Sequence, residues 1–330
     1  MRILIDTYGA DAGLKVIVDG SILAKEKRDF TPVFVGNEKE IKENINGRIT
    51  DYEIIPTDSF ISNDEDPVRA IRRKKDASIV LAYEKSKEEG YHGLVSAGST
   101  GALLAGGLFL AGRIEGIKRA CLAANIPSIN DNICLLMDTG ANMDCKAEFL
   151  YEFALMGSIY LENTMGIANP SIGLLNVGVE EHKGNKLTKE TYALLKESKL
   201  NFVGNVESRD LFTGKVNILL ADGFDGNIAI KTAEGVLKLM GSQIKSTIYK
   251  SAKNKIAGAL LKNDLKAMTN KFSSDEVGGA PLLGVKSYVY KAHGNTNELA
   301  FSNAILGLMN YIERNTIEKI EGEIKWLETN

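Results

Sequence analysis

GLVSAGSTGALL, residues 93–104, changes character at its middle. The first half is a short apolar run that stops at Gly98, and the second opens with the hydroxyls of Ser99 and Thr100 and continues in a helical pattern. A strand, a glycine-rich turn and a helix in that order form one half of a crossover unit in a parallel sheet. The same rhythm recurs outward from it. Residues 2–6, 32–36, 133–138, 172–177, 202–206, 216–222 and 287–293 are short apolar runs ending at or near Gly, Asp, Asn or His, and helical patterns follow them. They are too short for helices, and most are rich in Val and Ile. The expected fold is α/β: a three-layer αβα arrangement on a mostly parallel, doubly wound sheet. Residues 1–330 form one unit, long enough to be bilobal. Asp66-Pro67 predicts an N-cap and first helical residue opening a helix to about Glu89.

The bulk composition narrows the class but not the activity. Hydrophobic residues at 44% and charged ones at 25% exclude a disordered or fibrous chain, and a net charge of −3 gives nucleic acid no global attraction. MRILIDTYGA has no apolar run of signal-peptide length and no later segment reaches a membrane span, so a cytoplasmic location is expected. Cys121, Cys134 and Cys145 match no zinc pattern; buried small hydrophobes are expected there, and no metal site.

In doubly wound sheets, ligands bind outside the carboxyl ends of the strands. The turn holding Ser96, Gly98, Ser99, Thr100 and Gly101 is the clearest anion candidate, because amides at a helix start lack partners and hydroxyls add donors. It lacks the GK[ST] of a P-loop and is not GxGxxG. Other strand ends carry Asp6, Asn142, Asn176, Asn205 with Glu207, and Asp222 with Asn227; the last leads to Lys231. Asn and Asp also serve turns and caps, yet a ring of them round one crevice would orient an oxyanion substrate. Lys183, in the loop that ends at Asn185, offers a cation, and His293 ends its strand before a glycine. The apolar, glycine-rich residues 277–285 read as a loop or as a wall for an acyl chain.

Two basic segments stand out. Residues 68–85 carry Arg69, Arg72, Arg73, Lys74 and Lys75, either a solvated helix face or a dock for an acidic partner. Residues 244–272 carry seven lysines and one acid, Asp264. Their apolar positions shift round at Gly258 and residues 262–264, which predicts a basic amphipathic helical hairpin rather than one helix. Ile256, Leu260 and Leu261 are its candidate contacts with an anionic membrane surface; a surface or dimer-interface hairpin is the plainer alternative.

Taken in order, SAGSTGALLAG, MDTGANMDC, GLLNVGVEEHKGN, NFVGNVESRD, ADGFDGNIAIKTAEG, GGAPLLGV and KAHG cover nearly the whole chain. They resemble the phosphate acyltransferases that convert acyl-(acyl carrier protein) and phosphate to acyl phosphate at the start of bacterial phospholipid synthesis. The chain departs from that family's pattern at Tyr8 and Ala10 in the motif DTYGAD, at Ser99 where Asn is usual, and at Ala120, which follows Arg119 where a Pro is usual. The resemblance implies a fold like that of phosphotransacetylases and isocitrate or isopropylmalate dehydrogenases, a homodimer, and no metal or nucleotide cofactor. It also implies acyl carrier protein and inorganic phosphate as substrates and a membrane-bound glycerol-phosphate acyltransferase downstream. The enzyme would then sit peripherally on the inner face of the cell membrane.

On that reading the 96–101 turn, Lys183 and Lys231 hold phosphate, and Asn142, Asn176, Asn205 and Asn227 orient it for direct attack on the thioester. Asp6, Asn185 and Glu207 complete the substrate-orienting set. His293 meets the carbonyl oxygen or leaving thiolate, and Asp222 fixes a lysine or the nucleophile. The competing readings are a phosphotransacetylase that uses acyl coenzyme A and a non-catalytic scaffold at the membrane surface.

Overall fold

The computed structural model describes residues 1–130, 132–271 and 278–329. Its strands are β1 (Arg2–Asp6), β2 (Thr31–Gly36), β3 (Glu53–Pro56), β4 (Gly93–Ser96), β5 (Cys121–Leu122), β6 (Ala124–Ile126), β7 (Cys134–Met137), β8 (Ile172–Asn176), β9 (Phe202–Glu207), β10 (Ile218–Leu220), β11 (Gly279–Leu283) and β12 (Val289–Ala292). They divide between a seven-stranded sheet, ordered β3-β2-β1-β4-β12-β11-β5, and a five-stranded one, ordered β6-β7-β10-β8-β9. All eight runs expected as strands are strands, and they pair with one another only in parallel. The antiparallel pairs involve β5, β6 and β11.

Helices α1 (Leu14–Lys27), α2 (Glu38–Ile45), α3 (Pro67–Arg73), α4 (Ser78–Lys85), α5 (Thr100–Gly106), α6 (Ala147–Met165), α7 (Lys186–Glu197), α8 (Gly223–Tyr249), α9 (Ala252–Leu260), α10 (Lys262–Lys271), α11 (Glu298–Glu313) and α12 (Thr316–Thr329) form the outer layers. The alternation in β1 assigns those layers. Ile3 and Ile5 share a core with Ile17 and Val18 of α1 and Phe301 of α11, whereas Leu4 shares one with Val80 and Tyr83 of α4. Each such fully buried side chain contributes about 1.5–3 kcal/mol, against about 1 kcal/mol net for a hydrogen bond. The apolar alternation therefore decides which helix covers which face. Cys121 and Cys134 are buried among apolar side chains and Cys145 is half-buried; burial pushes the Cys134 thiol up to about 12.

Three expectations need correction. The helix from Pro67 to about Glu89 is two helices, α3 and α4, because the chain breaks at Lys74 and restarts so that the Ser78 hydroxyl reaches Asp6. The glycine-rich stretch before the last strand is itself a strand, β11, lying between β12 and β5; Val277, at its start, lies outside the described residues. The basic 244–272 segment begins within the end of α8 and only then forms the short pair α9 and α10, with residue 272 outside the described residues.

Candidate active site at the strand ends

Three neighbouring strands of the larger sheet end side by side. Asp6 of β1 is in register with Ser96 of β4, and Ser96 with Lys291 of β12, which sets a carboxyl, a hydroxyl and an ammonium in one row. The Asp6 carboxylate accepts hydrogen bonds from Ser78 Oγ at 2.6 Å and Ser96 Oγ at 2.7 Å. Ser96 Oγ in turn accepts from the Gly98 amide at 3.0 Å, so the turn is pinned to Asp6. Lys291 Nζ donates to the Ala97 carbonyl at 3.2 Å and to the Ala292 carbonyl. Burial pushes the Asp6 carboxyl up, opposed by its two hydroxyl donors; it pushes Lys291 down to about 8, opposed by Asp6 and Asp11.

Ser99 caps α5 by accepting from the Ala102 amide, and Gly101 packs against Pro67, the first residue of α3. Asp6, Tyr8, Phe60, Ser78, Ser96, Gly98 and Ser99 line a slot of ≈ 10 Å³, about one water in size. A broader open groove of ≈ 620 Å³ lies at the ends of β2 and β3 beside Asn37 and Thr57, lined by lysines and acids together and by none of the residues named above. An oxyanion finds less there than at the 96–101 turn, because the acids repel it.

The smaller sheet contributes the N-terminus of α8. Asp138, fully buried after β7, accepts from the Leu122, Ala141 and Asn142 amides and from the Asn142 side chain. The Asn142 carbonyl accepts from the Gly223 amide, and a Cβ on Gly226 would lie 2.0 Å from the Asp138 carbonyl oxygen. Asp138 and its turn thus seat the first residues of α8, where Asp222 caps by accepting from the Asp225 amide. Asn227 follows on the first turns, its amide 3.1 Å from the place a Cβ on Gly140 would occupy.

The proposed ring of amides divides by use. Asn142 holds Asp138 and the Ala120 carbonyl. Asn176 holds the backbone of Val177 and Lys183, Asn185 caps α7, and Asn205 donates to the Glu180 carbonyl. These three fix the 177–185 loop, leaving the Lys183 side chain exposed without an ion pair among the described residues. Glu207 pairs with Arg209. Of the five asparagines named, only Asn227 has an amide with no hydrogen-bonding partner among the described residues. Thr100 and Lys231 are exposed.

One contact joins the strand ends of the larger sheet to α8. His293, just past β12 in the larger sheet, has Nε2 3.5 Å from Glu234 Oε1 on α8, the helix that starts at the smaller sheet. The hydrogen bond from His293 holds the Glu234 carboxyl down. Lys291, Ser78, Asp138 and Glu234 were not among the expected site residues. Lys291 had left a signal, a lysine inside an otherwise apolar strand, but its register against Asp6 is a tertiary fact.

Residues 1–319 match the family described as fatty acid synthesis protein. The chain is 44% identical over 327 residues to a phosphate acyltransferase of Brevibacillus brevis, covering 98% of each chain. It is 45% identical over 333 residues to a phosphate acyltransferase of Clostridium tetani, covering 100% of this chain and 99% of the relative. Among solved structures, a phosphotransacetylase from Streptococcus pyogenes superposes with a TM-score of 0.58 at 16% identity, covering 96% of this chain and 94% of the other. A branched-chain phosphotransacylase from Enterococcus faecalis does so with a TM-score of 0.58 at 14% identity, covering 94% and 99%. At such identities the two structures establish a shared fold.

Proposed function

Because the chain belongs to the fatty acid synthesis protein family of phosphate acyltransferases, we propose that it moves a fatty acyl group from the thioester of acyl carrier protein to inorganic phosphate. The products are acyl phosphate and free carrier, feeding phosphatidic acid and phospholipid synthesis. The observation that carries this reading is the His293–Glu234 contact, which joins α8 to the end of β12, the strand that lies in register beside Ser96 of the turn.

In this mechanism the turn residues Ser96, Gly98, Ser99, Thr100 and Gly101 hold phosphate together with Lys183 and Lys231, and Asn227 orients it. A phosphate oxygen bonds to the thioester carbonyl carbon, the carbon–sulfur bond breaks, and the sulfur leaves with the electron pair and takes a proton. Phosphate dianion needs no strong base, so positioning and oxyanion stabilisation supply most of the rate. His293 meets the carbonyl oxygen or the departing sulfur. Asp222, Asp6, Asn142, Asn176, Asn185, Asn205 and Glu207 act mainly by holding the groups that touch substrate.

Docking of the acidic carrier is assigned to α3. Arg69, Arg72 and Arg73 are exposed there, and Pro67 at its start touches Gly101 of the phosphate turn, so a carrier on this helix delivers its thioester nearby. Reversing Arg72 and Arg73 to Glu should lower kcat/KM for a long-chain acyl carrier protein about ten-fold at low salt and flatten its salt dependence, with acyl coenzyme A as the unaffected comparison. Equal kcat/KM with the carrier at low salt would move the dock elsewhere. Coenzyme A as the better donor for the unaltered enzyme would replace the carrier in the reading.

Membrane contact is assigned to α9 and α10. No helix among the described residues is long and apolar enough to cross a membrane, but Ile256, Leu260 and Leu261 are 66%, 81% and 51% exposed beside a series of lysines. Each apolar side chain inserted contributes about 1.5–3 kcal/mol, enough with the lysines for reversible peripheral binding to an anionic cytoplasmic leaflet. Replacing the three with Glu should abolish sedimentation with anionic vesicles and leave soluble turnover near normal. Unchanged sedimentation would exclude this hairpin. The long α8 supports the homodimer: Phe224, Ile228, Val236, Leu239 and Met240 form an exposed apolar stripe that a second copy would cover.

A further inference from the structure

Lys291 stands where an apolar residue would cost less. Its strand neighbours Val289, Tyr290 and Ala292 are buried, and Lys291 itself is 8% exposed. An ammonium taken out of water is unfavourable unless it is paired and hydrogen-bonded, and replacing a buried ion pair by hydrocarbon commonly stabilises a fold. Stability alone therefore gives no reason for a lysine here.

What the lysine does is hold the phosphate turn from the side opposite Asp6. Asp6 fixes the turn through Ser96 and the Gly98 amide, while Lys291 fixes the intervening Ala97 by its carbonyl. An ammonium has three donors; two find the Ala97 and Ala292 carbonyls, and one remains. The acids that bear on it are Asp6 on β1 and Asp11 in the loop after β1. The turn itself offers a dianion only neutral donors, from Ser99, Thr100 and backbone amides.

We propose that Lys291 is a positioning residue for phosphate, fixing the 96–99 turn through Ala97 and placing a buried positive charge directly beneath it. This rests on the phosphate site argued above. Lys183 and Lys231 approach phosphate from exposed elements, whereas Lys291 is held within the sheet by two backbone carbonyls.

The test uses three variants of the full chain: Lys291→Met, Lys291→Arg and the double variant Asp6→Asn, Lys291→Met, which leaves no unpaired buried carboxylate. For each, kcat, the KM for phosphate, the KM for the acyl donor and the rise in Tm on adding inorganic phosphate are measured. Both methionine variants should raise the phosphate KM about ten- to a hundred-fold, the factor expected for a hydrogen bond to a charged group, with the donor KM near normal. They should also lose the phosphate-dependent rise in Tm, and Lys291→Arg should recover part of both. Wild-type phosphate KM in either methionine variant overturns the proposal. So does a parallel change in both KM values, or failure of both methionine variants to fold, because each assigns Lys291 a structural role only. If the unaltered enzyme itself shows no phosphate-dependent turnover, the functional reading fails instead, and the two failures are distinct.

Discussion

Asn227→Ala lowers kcat by about 10²–10³, with little loss of stability, if its amide is the donor that orients phosphate in the transition state. The expectation is larger for Asn227 than for the other asparagines, because those amides are already used within the fold. Asn142→Ala, by contrast, removes the side-chain amide that donates to the buried Asp138 and to the Ala120 carbonyl, and should appear as a fall in Tm. Lys183→Ala should resemble Asn227→Ala, since its side chain is exposed at the tip of a loop that Asn176 and Asn205 hold in place. The checks are steady-state kinetics and thermal melting run together. Wild-type kcat with a normal phosphate dependence would remove the altered residue from the site.

Gly9→Ala should disable the phosphate turn from outside it. Gly9 has φ +89°, and a Cβ there would lie 2.3 Å from Gly98 Cα, a backbone atom with no room to yield. Gly13 has φ +78° and nothing within 4 Å of its would-be Cβ, so Gly13→Ala isolates backbone strain from collision. Each variant carries strain of about 1–3 kcal/mol. Only Gly9→Ala should also raise the phosphate KM, by about ten-fold or more, as the turn shifts. Phosphate titrations of the two variants side by side decide it, and equal KM values would mean that the contact between Gly9 and Gly98 does not shape the site.

Much of the fold was legible because parallel strands buried on both faces must be short apolar runs, and eight such runs are present. β11 escaped because Gly278, Gly279 and Pro281 read as loop punctuation, while in the fold it is flanked by β12 and β5. The break between α3 and α4 escaped because Ile71 and Ile79 keep a helical spacing across it; Asp76 and Ser78 were its only local marks. The division into two sheets is set by strand pairings that no local pattern encodes. In the site, the sequence gathered the strand-end residues but not their uses. An asparagine that caps a helix and one that faces a substrate have the same neighbours in sequence, and Lys291 becomes a site residue only through its register with Ser96 and Asp6.

The central claim is direct transfer of the acyl group to phosphate, and it is tested by supplying ¹⁸O-labelled phosphate with a long-chain acyl carrier protein. Free carrier thiol and acyl phosphate are then counted together. One thiol should be released for each labelled acyl phosphate, with no release when phosphate is omitted. Thiol release that proceeds equally without phosphate, or fatty acid in place of acyl phosphate, would contradict it.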